Sequence, residues 1–205
     1  MSKPLKLFIE QVIQRELEEQ AVSSQRAVSH GLAVFIGKQT NARDIILYNP
    51  GRYPDENFIM GIINIDYNGD CGAWEVLTVA AIKGYGPLLY DIAFSMSGKR
   101  GLMADRNSVS PSALKVWEYY FSRRKEEFDI LPLLPDCESD NKLHKLTHPE
   151  GPLNFRYVPK ASIDISGLEL NHKRFLEDLE PNQRGRAITA IETSGYDFFR
   201  AKYNQ

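Results

Sequence analysis

The sequence predicts a mixed α/β fold of the α+β type, with helices packed on a largely antiparallel sheet. Three observations lead there. The middle of the chain reads strand, strand, strand, strand, helix, strand, helix, which is neither the regular alternation of a doubly wound sheet nor an all-β sandwich. Phe58–Tyr67 and Trp74–Ile82 are apolar, β-branched runs on either side of the turn Asn68-Gly69-Asp70, the pattern of two antiparallel strands. Ala113, Val116, Trp117, Tyr120 and Phe121 recur at i, i+3, i+4, i+7 and i+8, the spacing that gathers side chains on one helical face.

In chain order, Leu5, Phe8, Ile9, Val12, Ile13 and Leu17 share one face, so residues 1–20 read as an amphipathic helix. Residues 21–30 are polar and without period. Leu32–Ile36 and Ile45–Tyr48 read as short strands around a polar turn, Gly37–Asp44. Asn49-Pro50-Gly51 breaks the chain before the two long strands. After Gly84-Tyr85-Gly86-Pro87 comes a helix, because proline suits a first helical turn; Leu88, Leu89, Ile92, Ala93 and Met96 form its buried face and Gly98 closes it. Gly101–Asp105 reads as a short strand, and Asn107–Ser110 offers caps for the helix that follows. From Pro132 to Pro159 the prolines indicate loop. A last helix is expected from Arg184 to about Lys202, with Ile188, Ile191, Phe198 and Phe199 inward and Gly195 as its weak point.

Composition narrows the class without naming a chemistry. The 205 residues suit one compact domain with appendages, and 25 Lys+Arg against 27 Asp+Glu give a net charge of -2. A mainly electrostatic nucleic-acid binder is usually basic, so that class loses weight, although a local patch stays open. Two cysteines, Cys71 and Cys137, make no disulfide framework and suit a reducing, cytoplasmic setting. The first residues carry no long apolar run, so neither a signal peptide nor a membrane partner is expected.

The most informative stretch runs from Trp74 to Leu89: a strand, then Lys83, then Gly84-Tyr85-Gly86, then a helix. Unpaired N–H groups at a helix start can hold phosphate, and glycines admit it closely. The Rossmann fingerprint fails because Leu89 stands where its third glycine belongs, and the Walker pattern is absent. The strand, the Gly-x-Gly turn and the Leu88-Leu89 helix resemble motif A of the GNAT superfamily of N-acetyltransferases, Gln/Arg-x-x-Gly-x-Gly/Ala. The segment Ala113-Leu114-Lys115-Val116-Trp117-Glu118-Tyr119-Tyr120-Phe121 is similar to that family's next helix, and the resemblance spans about residues 58–125. Ala81 replaces the motif's Gln/Arg, Ser110 an asparagine, Trp117 a tyrosine and Tyr120 a glycine, and the helical pair between the first two strands has no counterpart.

The resemblance implies a GNAT-like sheet with helices on both faces and acetyl-CoA as the cofactor. Backbone N–H groups of Gly84, Tyr85 and Gly86, aided by Lys83, would hold the pyrophosphate, and the pantetheine arm would pair with the strand around Leu77, Val79 and Ala80. The chain is thus expected to divide into a helical segment over 1–30, the GNAT-like acyl-CoA-binding core over 31–130 and a loop-and-helix extension over 131–205, which the resemblance does not reach. That extension would cover the acceptor side of the sheet or form a homodimer contact.

Direct attack on a thioester needs a neutral amine, a base and an acid for the departing thiolate. Glu75 is the candidate base, or else a solvent-facing carboxylate; Asp66 on the neighbouring strand is a second. Tyr119 and Tyr120 are candidate acids, with core packing the other reading of Tyr120. Trp117 reads as core, and Asp105-Arg106 as a cap and an ion pair. His144 and His148, with Cys137 upstream, lack a fourth ligand and read as loop residues, so no metal is expected. The function expected is therefore acetyl transfer to an amine. The rival is a GNAT-like scaffold without acyl transfer that binds protein or nucleic acid.

Overall fold

The computed structural model describes residues 24–55, 57–138 and 151–203. The helix expected over 1–20, and His144 and His148, lie outside the described residues. Among the described residues seven strands form one sheet, in the order β1-β2-β3-β4-β5-β7-β6. They are β1 (Ala33–Lys38), β2 (Ala42–Tyr48), β3 (Ile59–Asn68), β4 (Ala73–Ala81), β5 (Leu102–Ala104), β6 (Phe128–Pro132) and β7 (Phe155–Pro159). Only β4 and β5 pair in parallel; every other neighbouring pair is antiparallel. The fold is thus the mixed, mostly antiparallel arrangement that the element order predicts.

Two helices lie on one face. α2 (Gly86–Ser97) carries the chain from β4 back to β5, and α3 (Pro111–Ser122) follows β5; a short helix, α1 (Ser24–Ser29), precedes β1. Ser110 caps α3 by accepting from the Ala113 N–H. Leu88, Leu89, Tyr90, Ile92 and Phe94 of α2 meet Trp117 and Tyr120 of α3 over Ile63, Ile65 and Val76 of the sheet. On the opposite face α4 (Ser166–Glu177) and α5 (Pro181–Tyr203) pack Phe175, Ile188, Ile191 and Phe198 against Ile46, Tyr48 and Ile62.

Gly195 is what seats α5. A Cβ there would come within 2.7 Å of Ile46 Cδ1 and 3.1 Å of its Cγ1, so the helix reaches the sheet only through a bare backbone. The glycine that weakens the helical pattern is the contact point.

Several elements differ from expectation, each for a visible reason. The first hairpin is tighter than a Gly37–Asp44 turn, because Gly37 pairs with Asp44 and Lys38 with Arg43. Pro132 and Pro159 do not mark loop. They end paired strands, β6 being the sheet edge, where a missing N–H is tolerated. β7 inserts between β5 and β6, so the sheet draws on residues from both sides of position 130. α4 is hidden in the sequence because Asn171 and His172 interrupt its apolar face. The structure uses both: Asn171 donates to the Leu32 carbonyl, and His172 Nδ1 lies 2.7 Å from the Tyr48 hydroxyl.

The reading of the cysteines needs correction. Cys71 and Cys137 form a disulfide across 66 positions, tying the segment after β6 to the β3–β4 turn. Cys71, Ala73 and Met103 make a small buried cluster there, with Leu133 and Cys137 packed on it. The partnership rests on tertiary proximity, which two isolated cysteines in a sequence do not reveal. Among the described residues, no helix is long and apolar enough to cross a membrane.

Candidate functional site

The parallel pairing of β4 with β5 is short: Trp74 with Leu102, Glu75 with Met103, Val76 with Ala104. Beyond Val76 the strands part. At the same point β4 bulges. Asn64 of β3 faces Thr78 and Ile65 faces Val76, so Leu77 has no opposite number and stands 43 % exposed. A bulge adds one residue to one strand and locally swings it. The edge of β4 from Leu77 onward therefore turns to an open cleft instead of a neighbouring strand.

The cleft has a volume of about 540 Å³. Val76, Leu77, Thr78 and Val79 form one wall, Tyr90 of α2 and Ala113 and Trp117 of α3 form the floor, and Asp105, Ser108, Val109 and Ser110 close the β5 side. Phe199 reaches it from α5 on the other face of the sheet. Helices of both faces of the sheet thus contribute to its lining. Its lining is mostly apolar with a few convergent hydroxyls, the usual character of a small-molecule site.

Past the open edge, β4 runs through Ala80 and Ala81 to the turn before α2. Ala80 is turned to the α5 side. Lys83 is exposed, and Gly84 has φ +93°, a conformation that favours glycine. The Tyr85 N–H donates to the Ile82 carbonyl. Gly86 opens the helix with nothing within 4 Å of where a Cβ would sit. Pro87 has no N–H, and the N–H groups of Gly86 and Leu88, in the first turn, have no intrahelical acceptor. Lys83–Gly86 thus presents a positive helix end, a side-chain cation and an uncluttered backbone.

The structure sets the candidate acids and base elsewhere. Glu75 is 5 % exposed, not solvent-facing; its carboxylate accepts from the Arg106 N–H and from Asn68 Nδ2, joining β4 to the end of β5 and to the β3–β4 turn. Tyr120 is fully buried, and its hydroxyl donates to Asp91 Oδ1 at 2.9 Å. Burial, and then the Asp91 charge, push that hydroxyl well above its ordinary pKa. Arg124 completes the group, 2.6 Å from both Asp91 and Glu127. Tyr119 is half-buried with its ring against Tyr120. None of the three lines the cleft. Asp66 accepts from the Tyr67 N–H. Asp105 accepts from the N–H groups of Asn107 and Ser108, a local cap beside the cleft, and the Arg106 guanidinium is bound to the Leu153 carbonyl.

Sequence reasoning does not single out Tyr90 or Thr78 and reads Phe199 only as an inward residue of the last helix. For each, core packing is the default reading. Thr78 carries the one pattern that departs from it: its hydroxyl donates to Asn64 Oδ1, Asn64 Nδ2 donates to Asp44 Oδ1 at 2.6 Å, and the Tyr196 hydroxyl donates to Asp44 Oδ2 at 2.8 Å. This polar chain crosses β4, β3 and β2 from the cleft to α5. Comparison with known protein families, with curated proteins and with solved structures finds no match to this chain.

Proposed function

We propose that the protein is a GNAT-like N-acyltransferase that moves an acetyl group from acetyl-CoA to an amine. One observation carries the reading. The parallel pair β4–β5 parts where β4 bulges, and the freed strand edge lines the cleft before running on to a helix start framed by Gly84 and Gly86. The cleft volume, the open edge and the bare Gly86 suit a long thioester with a diphosphate at one end.

When bound, the acetyl thioester supplies the activated carbonyl. The chain's own residues position it. N–H groups of Gly84 and Gly86, with Lys83, hold the diphosphate; the edge at Leu77–Ala80 pairs with the extended arm. An amine entering from the α5 side forms the new C–N bond as the C–S bond breaks, and the amine's proton leaves as the thiolate gains one. Thr78 and Phe199 line the cleft on that side.

A second reading is favoured by the positions of Glu75, Tyr119 and Tyr120 away from the cleft: a scaffold that binds the cofactor or a partner without transfer. Release of free thiol from acetyl-CoA across a panel of amines separates the two. Gly86→Glu is the test variant, because an acidic residue in the first helical turn suits the helix and opposes a phosphate. The transferase reading expects amine-dependent thiol release, lost in Gly86→Glu. Saturable acetyl-CoA binding with no release for any amine favours the scaffold.

A further inference from the structure

We propose that Tyr90 is the hydrogen-bond donor by which the cleft holds an amide carbonyl of an extended acyl-pantetheine chain, an inference that rests on the acyl-CoA reading above. Among the described residues four tyrosines are fully buried, and three have partners for their hydroxyls: Tyr48 with His172, Tyr120 with Asp91, and Tyr157 with the Pro152 carbonyl at 2.7 Å. Tyr90 is the exception. It is 1 % exposed, and its hydroxyl has no hydrogen-bond partner among the described residues. A buried hydroxyl left unmatched is destabilising, so such groups call for an explanation. Here the residue lines the cleft.

The surroundings define what would satisfy it. Trp117 and the Tyr90 ring pack in a T-shaped pair, with centroids 5.6 Å apart and planes at 89°, which restricts the ring's movement. Burial raises the hydroxyl above its ordinary pKa. It is therefore a hydrogen-bond donor in the neutral range, not a source of protons. Val76, Val79, Val109 and Trp117 offer apolar contact, while the open edge of β4 offers backbone groups in strand register. A chain that alternates methylenes with amides matches both, in the manner of an added strand.

Position selects the amide over the thioester. Tyr90 is four residues beyond Gly86, one helical turn and about 6 Å along the axis. With the diphosphate at the helix start, that distance falls at the amide part of the arm, short of the sulfur.

The test is Tyr90→Phe, which keeps the ring and removes only the hydroxyl, titrated calorimetrically with free CoA and with acetyl-CoA, alongside thermal unfolding without ligand. We expect affinity for both ligands to fall about tenfold, the effect of one neutral hydrogen bond, with the unliganded melting temperature unchanged or higher. Equal affinity for wild type and variant overturns this inference and leaves the acyl-CoA reading intact. A loss confined to acetyl-CoA overturns the amide assignment, since the contact would then be to the thioester carbonyl. A fall of several degrees in the unliganded protein overturns it too, by showing that the hydroxyl serves the fold. No binding of either ligand to the wild type overturns both the inference and the reading beneath it.

Discussion

Replacing Tyr120 by phenylalanine separates a structural hydroxyl from a catalytic one. The Tyr120 hydroxyl lies 2.9 Å from Asp91 Oδ1, and Asp91 in turn meets Arg124 at 2.6 Å. The ring packs between Phe94 and Phe128, with centroids 4.8 and 5.3 Å away, and phenylalanine keeps those contacts. What is lost is one hydrogen bond to an ionised, largely buried carboxylate, a bond worth about 1.5–3 kcal/mol. At this chain length each kcal/mol moves the melting temperature by about 2–4 °C, so a 2 kcal/mol loss corresponds to roughly 4–8 °C. Denaturant unfolding at pH 7 reads the stability, and calorimetric titration reads acetyl-CoA affinity, which should stay within about twofold. A variant as stable as wild type, to within about 0.5 kcal/mol, would refute the structural role, most clearly if thiol release fell at the same time.

Other outcomes follow from the same packing. Reducing the Cys71–Cys137 bridge frees a loop of 66 positions, and chain entropy alone puts the loss near 4 kcal/mol; urea unfolding with and without reductant should show a large drop in midpoint. Gly195→Val should destabilise by about 1–2 kcal/mol, because overpacking against Ile46 exceeds the gain in helix propensity; an unchanged midpoint would mean that α5 does not rest there. Burial holds the His172 imidazole below its ordinary pKa of about 6.5, so the folded state favours the neutral ring. Its contribution is complete above that value and is lost as pH falls through it toward the lower folded pKa. His172→Gln should flatten that part of the stability–pH curve.

Much of the fold can be read from apolar periodicity. β3, β4, α2 and α3 are long or cleanly spaced, and local pattern and tertiary structure agree. Where they diverge, the cause is a side chain whose partner is distant in sequence. Asn171 and His172 look wrong for a buried helical face until Leu32 and Tyr48 stand opposite them. Pro132 and Pro159 look like breakers until they fall at the ends of paired strands. Gly195 looks like a weak point until Ile46 lies beneath it.

The site divides in the same way. The open edge and the glycine turn are carried by backbone and small residues, and the motif from Trp74 to Leu89 displays them directly. The cleft's polar groups are not local. Thr78 is one more β-branched residue in a strand, and Tyr90 one more aromatic in a buried helical face. Only the three-dimensional arrangement shows one hydroxyl tied to Asn64 and the other without a partner among the described residues. Glu75 illustrates the converse: a carboxylate in a promising strand position proves to be the clasp between β4, Arg106 and Asn68.

The central claim is that the cleft between β4 and β5 takes an acyl-CoA, and Trp117 provides a direct reporter. The chain has two tryptophans, and only Trp117 lines the cleft. In Trp74→Phe the emission comes from Trp117 alone. Titration with acetyl-CoA should give a saturable change in that emission, with the same midpoint as calorimetry and loss of both signals in Gly86→Glu. Folded protein that shows no change at millimolar acetyl-CoA, or binding by calorimetry that leaves Trp117 emission untouched, would contradict the account.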